Sequence, residues 1–292
     1  MQSTLPNNQV NRVADARPVR TPRKQRPAGT AASMRRWLRR GAVLVTPLLV
    51  LFTWMAITGA GWVQPWLVPP PDAVADKFID KLTDGEAFIV GSTLWQHTVT
   101  TLSEVLIGLG IGVLIGVVLG YWIARIPLLE DLLSPLIVAF QSTPIVAYAP
   151  LLVIAFGSGI TGKIVTCVLI VFFPMLMNTV AGIRGVPRDL RDLMRVSRAS
   201  WWQTFTKLEL PAAMPVLVTG LKTSATLAVI GAVVGEFVVA DAGLGFLINV
   251  ARQGYDTALV YVAAISLALM AGTLYAIVSV VERRLLAWQR AV

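Results

Sequence analysis

Residues 41–71, 105–124, 132–162, 164–183 and 257–281 contain no Asp, Glu, Lys or Arg, and that one property decides most of what this chain can fold into. A bilayer core about 30 Å thick takes roughly 20 apolar helical residues per crossing, and every one of these runs is long enough. A sixth stretch, 210–240, is interrupted only by Lys222 and Glu236. The chain is 55% hydrophobic and 14% charged, more apolar side chain than a soluble domain can bury. In lipid every backbone N–H and C=O has to be bonded within the segment, which favours helices. The expectation is an all-α, polytopic membrane protein of about six transmembrane helices. Its spans are placed near 41–62, 98–124, 134–156, 164–183, 212–238 and 257–281.

The net charge of +9 does not contradict this. Residues 1–40 carry ten Lys/Arg against Asp15 alone, which accounts for all nine charges, and the remaining residues balance at 15 against 15. A basic, aromatic-poor tail ahead of a first span reads as disordered and cytoplasmic, held near anionic lipid headgroups. Nothing follows it that could read bases, so nucleic acid is not an expected partner. The domains are therefore the tail, 1–40, and a membrane domain, 41–292. Lys/Arg in short loops sets orientation. The tail ends in "RRWLRR", residues 184–211 carry six Lys/Arg against three acids, and the C-terminal "ERRLLAWQR" is basic. All three are expected inside. Residues 63–97, with five acids against two lysines, are expected outside. Both termini of a multi-pass cell-membrane protein would then be cytoplasmic.

Small and polar residues within the spans are few enough to be read singly. In the second, Gly108, Gly112, Gly116 and Gly120 recur every four residues and share one helix face. Small residues at that spacing let backbones approach closely in lipid; static packing and contact with a moving neighbour both fit. The third span is interrupted by Pro135, Pro144 and Pro150, and proline removes a donor and kinks a helix. Gln141, Ser142, Thr143 and Tyr148 place polar side chains at the same point, as candidates to line a translocation pathway; a kinked structural helix is the alternative. Glu236, near the outer end of the fifth span, is a further pathway candidate because intramembrane carboxylates are costly, or else a structural group at the interface. Lys222 is expected to snorkel to the inner surface and His97, the only histidine, to lie on the outer one. Neither His97 nor Cys167 has ligand neighbours by spacing, so no metal site is expected.

"GSGITGKI", Gly157 to Ile164, comes within one residue of a phosphate-binding loop, with Ile164 where Ser or Thr should hold Mg²⁺. Such a loop needs a strand before it and a soluble domain around it. Here it joins two spans on the outer side, so Gly157, Gly159 and Gly162 are read as a tight turn and no ATP is expected on this chain.

The longest polar loop runs "RDLRDLMRVSRASWWQTFTKLELPAAMP" from Arg188 to Pro215. Leu190, Leu193 and Met194 fall on one side of a helix, with Arg188, Asp192 and Arg195 elsewhere. A turn near Ala199-Ser200 precedes a second helical stretch through Trp201, Trp202, Phe205 and Leu208. An amphipathic helix-turn-helix of this kind fits a partner's groove; a helix lying on lipid is the alternative.

This segment resembles the EAA loop of binding-protein-dependent ABC importer permeases: Glu-Ala-Ala, three residues, Gly, nine residues, Ile, one residue, Leu-Pro. Asp192, Leu193 and Met194 match the Glu-Ala-Ala, Leu208 the Ile, and Leu210-Pro211 the Leu-Pro. Arg198 stands where the family has its glycine, a residue that permits a tight turn. The wider resemblance covers roughly residues 90–290 through "QSTPIVAYAPLLVIAFGSG", "VFFPMLMNTVAGIRGV", "LPAAMPVLVTGLKTSAT" and "VVGEF" with "GLGFLI". It implies a permease homodimer whose loops dock on cytoplasmic ATPase subunits, with an extracytoplasmic binding protein delivering substrate. It also implies that ATP and Mg²⁺ sit on the partner ATPase and that this chain carries no cofactor and no catalytic residue. By the same resemblance Asp189, Asp192, Leu193, Met194, Arg195, Ser197 and Arg198 would couple the ATPase to the spans by contact. The wording is similar to the nitrate, sulfonate, taurine and vitamin-precursor branch, with riboflavin or the thiamine pyrimidine as leading substrate and nitrate, sulfonate or taurine as alternatives. The rivals are an ion-coupled secondary transporter, which lacks support from an internal repeat, and a membrane-embedded enzyme, for which the spans hold no polar constellation.

Overall fold

The computed structural model describes residues 45–84, 93–157, 159–238 and 240–287, with the side chains of Gln141 and Ile145 outside the description. The expected basic tail, 1–40, also lies outside it. Among the described residues the chain is helical, without a strand. Residues up to Thr53 form one unit and those from Trp54 onward a second.

The helices are α1, Val45–Gly59; α2, Pro71–Thr83; α3, Thr93–Arg125; α4, Pro127–Ser142; α5, Ala149–Phe156; α6, Ile160–Arg184; and α7, Arg188–Val196. Then come α8, Trp201–Val238; α9, Leu244–Gln253; and α10, Thr257–Leu285. Among the described residues, α3, α6, α8 and α10 are long and apolar enough to cross a membrane. At 33 residues, α3 runs about 50 Å at 1.5 Å per residue, well beyond the hydrocarbon core.

The third expected span is not one helix. Thr143 has extended backbone and Pro144 follows it, so α4 stops, a short 3₁₀ turn covers Ile145–Ala147, and α5 restarts at Ala149. Proline biases the preceding residue away from helix, and Pro150 in the first turn of α5 lacks a donor that the turn would leave unused. Pro135, Pro174 and Pro215 by contrast sit inside α4, α6 and α8 without ending them.

Helix α6 is the centre of the second unit, with α3 on one side and α8 on the other. The glycine stripe of α3 faces it: all four glycines are buried. A Cβ built on Gly112 would lie 2.7 Å from Val171 Cγ1, and one on Gly120 2.7 Å from Thr179 Cβ. On the other side Cys167 Sγ donates to the Ala228 carbonyl at 3.3 Å and Ser224 Oγ to that of Val171 at 3.3 Å. Van der Waals contact and side-chain hydrogen bonds thus hold helices that lipid, as apolar as their surfaces, would not drive together.

Two peripheral connections complete the unit. Trp54 Nε1 donates to the Pro69 carbonyl at 3.0 Å and its ring stacks on Tyr261. Asp256 caps α10 through the Leu259 amide at 3.1 Å and pairs with Lys77 of α2 at 2.8 Å. Partial burial works against the Asp256 charge, but Lys77 and the Leu259 amide outweigh it and hold the carboxyl below the usual range. Lys222, expected to reach the inner surface, pairs with Glu282 in the last turn of α10 and lies over the Tyr275 ring.

Candidate functional site

Helix α7 follows Pro187, which sets its first turn, and none of its nine residues is buried. Leu193 and Val196 are 59% and 82% exposed, so among the described residues most of their surface is left open. Asp189, Asp192, Arg195 and Ser197 are exposed too, Asp192 and Arg195 pairing at 3.2 Å; Met194 is partly covered.

The helix ends in a tight reversal that needs a left-handed residue. Arg198 supplies it at φ 51°, its amide donating to the Arg195 carbonyl and that of Ala199 to Met194, both at 3.0 Å. The turn geometry associated with glycine is kept without the glycine. Ser200 then caps α8: the Gln203 amide donates to Ser200 Oγ at 3.2 Å, and the Ser200 amide to Gln203 Oε1 at 2.8 Å. This reciprocal cap satisfies two amides that a helix start otherwise leaves open. Trp201 stacks flat on Phe205, and Trp201 and Trp202 are half-exposed or more.

At Phe205–Glu209 α8 widens into a π-helical turn. Glu209, at its end, is fully buried yet gathers cations from two other elements. Arg125 Nη2 of α3 lies 2.6 Å away, Tyr121 of α3 donates at 3.2 Å, and Arg191 Nε of α7 is in ion-pair range at 3.5 Å. Arg191 also donates to the Ile183 carbonyl near the end of α6.

A second polar cluster sits at the other end of the same helices. Glu104 of α3 and Lys163 of α6 form a buried ion pair. Glu236 of α8, 1% exposed, accepts from Thr101 Oγ1 at 2.6 Å and from the Gly245 amide at 2.5 Å. The Leu244 amide donates to Thr101 Oγ1 at 2.8 Å and the Gly243 amide to His97 Nδ1 at 3.0 Å. Three side chains thus take up the open amides at the start of α9, with a carboxylate where the helix dipole favours one. His97 is therefore half-buried and bonded rather than a surface residue. Lys163, the lysine of the loop-like "GSGITGKI", is used in this ion pair. The expected turn is shorter than 157–163, because α6 already begins at Ile160 and Gly162 lies within it.

The pathway candidates do not meet in one place. Ser142 and Thr143 sit at the α4–α5 break, each donating to a carbonyl one helical turn back. Tyr148 is there too, its ring beside Phe140. Gln141 lies on the same stretch with its side chain outside the described residues. Glu236 has its partners on α3 and α9, in the cluster above. Among the described residues no group of three or more His, Cys, Asp or Glu is placed to hold a metal.

Residues 112–287 match the family described as "Binding-protein-dependent transport system inner membrane component". The chain belongs to that family. The permease is 42% identical over 246 residues, 84% of its length and 89% of the other, to a riboflavin transport system permease protein of Chloroflexus aurantiacus. It is 32% identical to a formylaminopyrimidine transport permease protein of Halalkalibacterium halodurans, over 78% of its length and 88% of the other. It is 30% identical to the taurine transport system permease protein of Escherichia coli, over 86% and 90%. In fold it is similar to a chain of the inward-facing methionine ABC transporter MetNI, with a TM-score of 0.53 and 22% identity over 66% of its length and 94% of the other. It is thus a multi-pass inner-membrane subunit of an ABC importer, a transport component and not an enzyme.

Sequence reasoning passed over Glu209, Arg125, Tyr121 and Arg191, and the pairing of Glu104 with Lys163. The one available signal was that Glu104, Arg125, Lys163 and Glu209 each border an apolar stretch; which charges meet depends on how the helices stack.

Proposed function

We propose that the permease imports a heteroaromatic vitamin or precursor, riboflavin or the thiamine pyrimidine, handed over by an extracytoplasmic binding protein. Two copies would enclose the pathway, with Ser142, Thr143 and Tyr148 at the α4–α5 break, beside Gln141, as its candidate lining. Both termini would be cytoplasmic and the basic tail would lie near lipid headgroups. ATP and Mg²⁺ would be bound by a cytoplasmic ATPase subunit that docks on α7 and the turn at Arg198. The observation that carries this reading is α7 itself: a short helix with Leu193 and Val196 exposed and no residue buried in its own chain. An apolar ridge left open beside charged groups fits a partner's groove. Asp189, Asp192, Leu193, Met194, Arg195, Ser197 and Arg198 would transmit ATPase closure to the spans by contact.

The substrate reading draws on the names of the riboflavin and formylaminopyrimidine relatives; the taurine relative keeps a sulfonate as the alternative. Purified permease, ATPase and binding protein in proteoliposomes should hydrolyse ATP faster with riboflavin or the pyrimidine, and not with taurine or nitrate. Stimulation by taurine alone would reverse the choice. Replacing Asp192 and Met194 together with Ala should lower uptake per ATP while leaving the permease folded. An unchanged ratio in that variant would remove the docking role.

A further inference from the structure

We infer that Glu209 is the positioning residue that fixes the docking loop to the membrane spans, so that α7, the cytoplasmic end of α3 and the start of α8 move as one body. The inference rests on the docking role proposed for α7, and on three independent features of the fold.

The first is connectivity. The turn at Arg198 joins α7 to α8 covalently, but a turn is a hinge and sets no angle. With no buried residue of its own, and Met194 alone of its apolar residues partly covered, α7 has little apolar contact to hold it against the bundle. Its attachment is polar: Arg191 reaches Glu209 on one side and the Ile183 carbonyl on the other. Glu209 in turn is held by Arg125 and Tyr121 of α3. Besides the covalent turn and the Ile183 carbonyl, this one carboxylate is the side-chain link from α7 to both α3 and α8.

The second is burial. Glu209 is wholly buried while Arg125 and Arg191 keep 31% and 26% of their side-chain surface exposed. Removing the carboxylate would strand both arginines, of which Arg125 is hydrogen-bonded to it and Arg191 Nε faces it at 3.5 Å by charge alone. The third is the helix. Glu209 closes the π turn Phe205–Glu209, and an inserted π turn rotates every following residue relative to those before it, a feature found mostly at functional sites. At this turn the Glu209 carboxylate faces arginines on α3 and α7.

Other polar features carry less. Glu236 is taken up in capping α9 and Glu104 in pairing with Lys163, and no described residue covers the apolar recess between α2, α3 and α10.

The test uses the full transporter in proteoliposomes, reading uptake and ATP hydrolysis separately. Radiolabelled riboflavin is the probe, or taurine where only taurine is taken up. Glu209→Gln, close in shape and uncharged, should leave ATPase co-purification and hydrolysis near the parent level and cut uptake per ATP at least fivefold. Arg191→Gln, on the partly exposed partner, should do the same more weakly, and Arg191→Lys should recover most of the loss. A nitroxide on Val196→Cys, with Cys167 wholly buried and unreactive, should become more mobile in both Gln variants. A purely structural role would lower folded yield and both activities in proportion, with the ratio kept within twofold, and that result overturns the inference. Should Glu209→Gln fold poorly, Arg191→Gln decides alone: an unchanged ratio and label mobility overturn it. The Asp192/Met194 double variant separates the two proposals. If it uncouples while Glu209→Gln and Arg191→Gln do not, docking stands and the positioning role falls; if it does not uncouple, the docking reading falls first.

Discussion

Adding one methyl group at either of two neighbouring glycines of α3 should have opposite effects. Gly110 faces outward with nothing within 4 Å of an added Cβ, whereas one on Gly112 would lie 2.7 Å from Val171 Cγ1, 2.8 Å from its Cβ and 3.0 Å from the Val168 carbonyl oxygen. Carbon atoms rest at about 3.5–4.0 Å, so α3 and α6 would have to separate by roughly 0.8 Å at that level. The obstacle at Gly112 includes backbone, and Val171 is β-branched and stiff, so side-chain rotation gives no relief. Gly116 and Gly120 meet α6 in the same way, and a separation at one level loosens the others. Overpacking of this kind costs about 1–3 kcal/mol, against a gain of about 1 kcal/mol from replacing glycine in a helix. Gly112→Ala should therefore destabilise by up to about 2 kcal/mol and Gly110→Ala should be neutral or stabilising by up to about 1 kcal/mol. Gly112→Leu should prevent the native packing altogether. Tryptophan-monitored thermal unfolding in one detergent compares them, the two alanine variants differing by roughly 5 °C. Equal or higher stability for Gly112→Ala would refute the claim that close backbone approach holds α3 on α6.

Arg198→Gly should raise stability by up to about 1 kcal/mol, because glycine occupies φ 51° without the Cβ clash, and Arg198→Val should lower it; the same thermal assay reads both. Lys163→Met should cost about 3–5 kcal/mol by stranding the buried Glu104, and Glu104→Met combined with it should recover most of that, as folded yield in detergent would show. Asp256 titrates lower in the folded chain than in the unfolded one. Its contribution is complete above the unfolded value of about 3.9 and disappears as pH falls through the lower folded value. The advantage of the parent over Asp256→Asn, at most about 1 kcal/mol for a partly exposed pair, should persist at neutral pH and vanish below about pH 4.

Much of the permease was legible in one dimension because lipid enforces local rules. Uncharged runs of about 20 residues marked the long helices α3, α6 and α10, the apolar stretch broken by Lys222 and Glu236 marked α8, and prolines at 144 and 150 marked the break between α4 and α5. The helix, turn and helix from Arg188 onward could be read because the stretch is amphipathic and its spacing is kept, even with Arg198 in the glycine's place; what preserves the turn is a backbone angle that arginine adopts at modest cost. The charged residues were a different matter. Glu209 reads as one more acid beside Leu-Pro, and Lys163 as part of a failed nucleotide loop. Only the stacking of α3, α6 and α8 shows that the first is a buried hub for Arg125, Arg191 and Tyr121, and the second the partner of Glu104. Partners 18 to 88 positions apart in the chain are set by which helix faces which. That choice is made by glycines and small side chains packing in three dimensions, and no local periodicity records it.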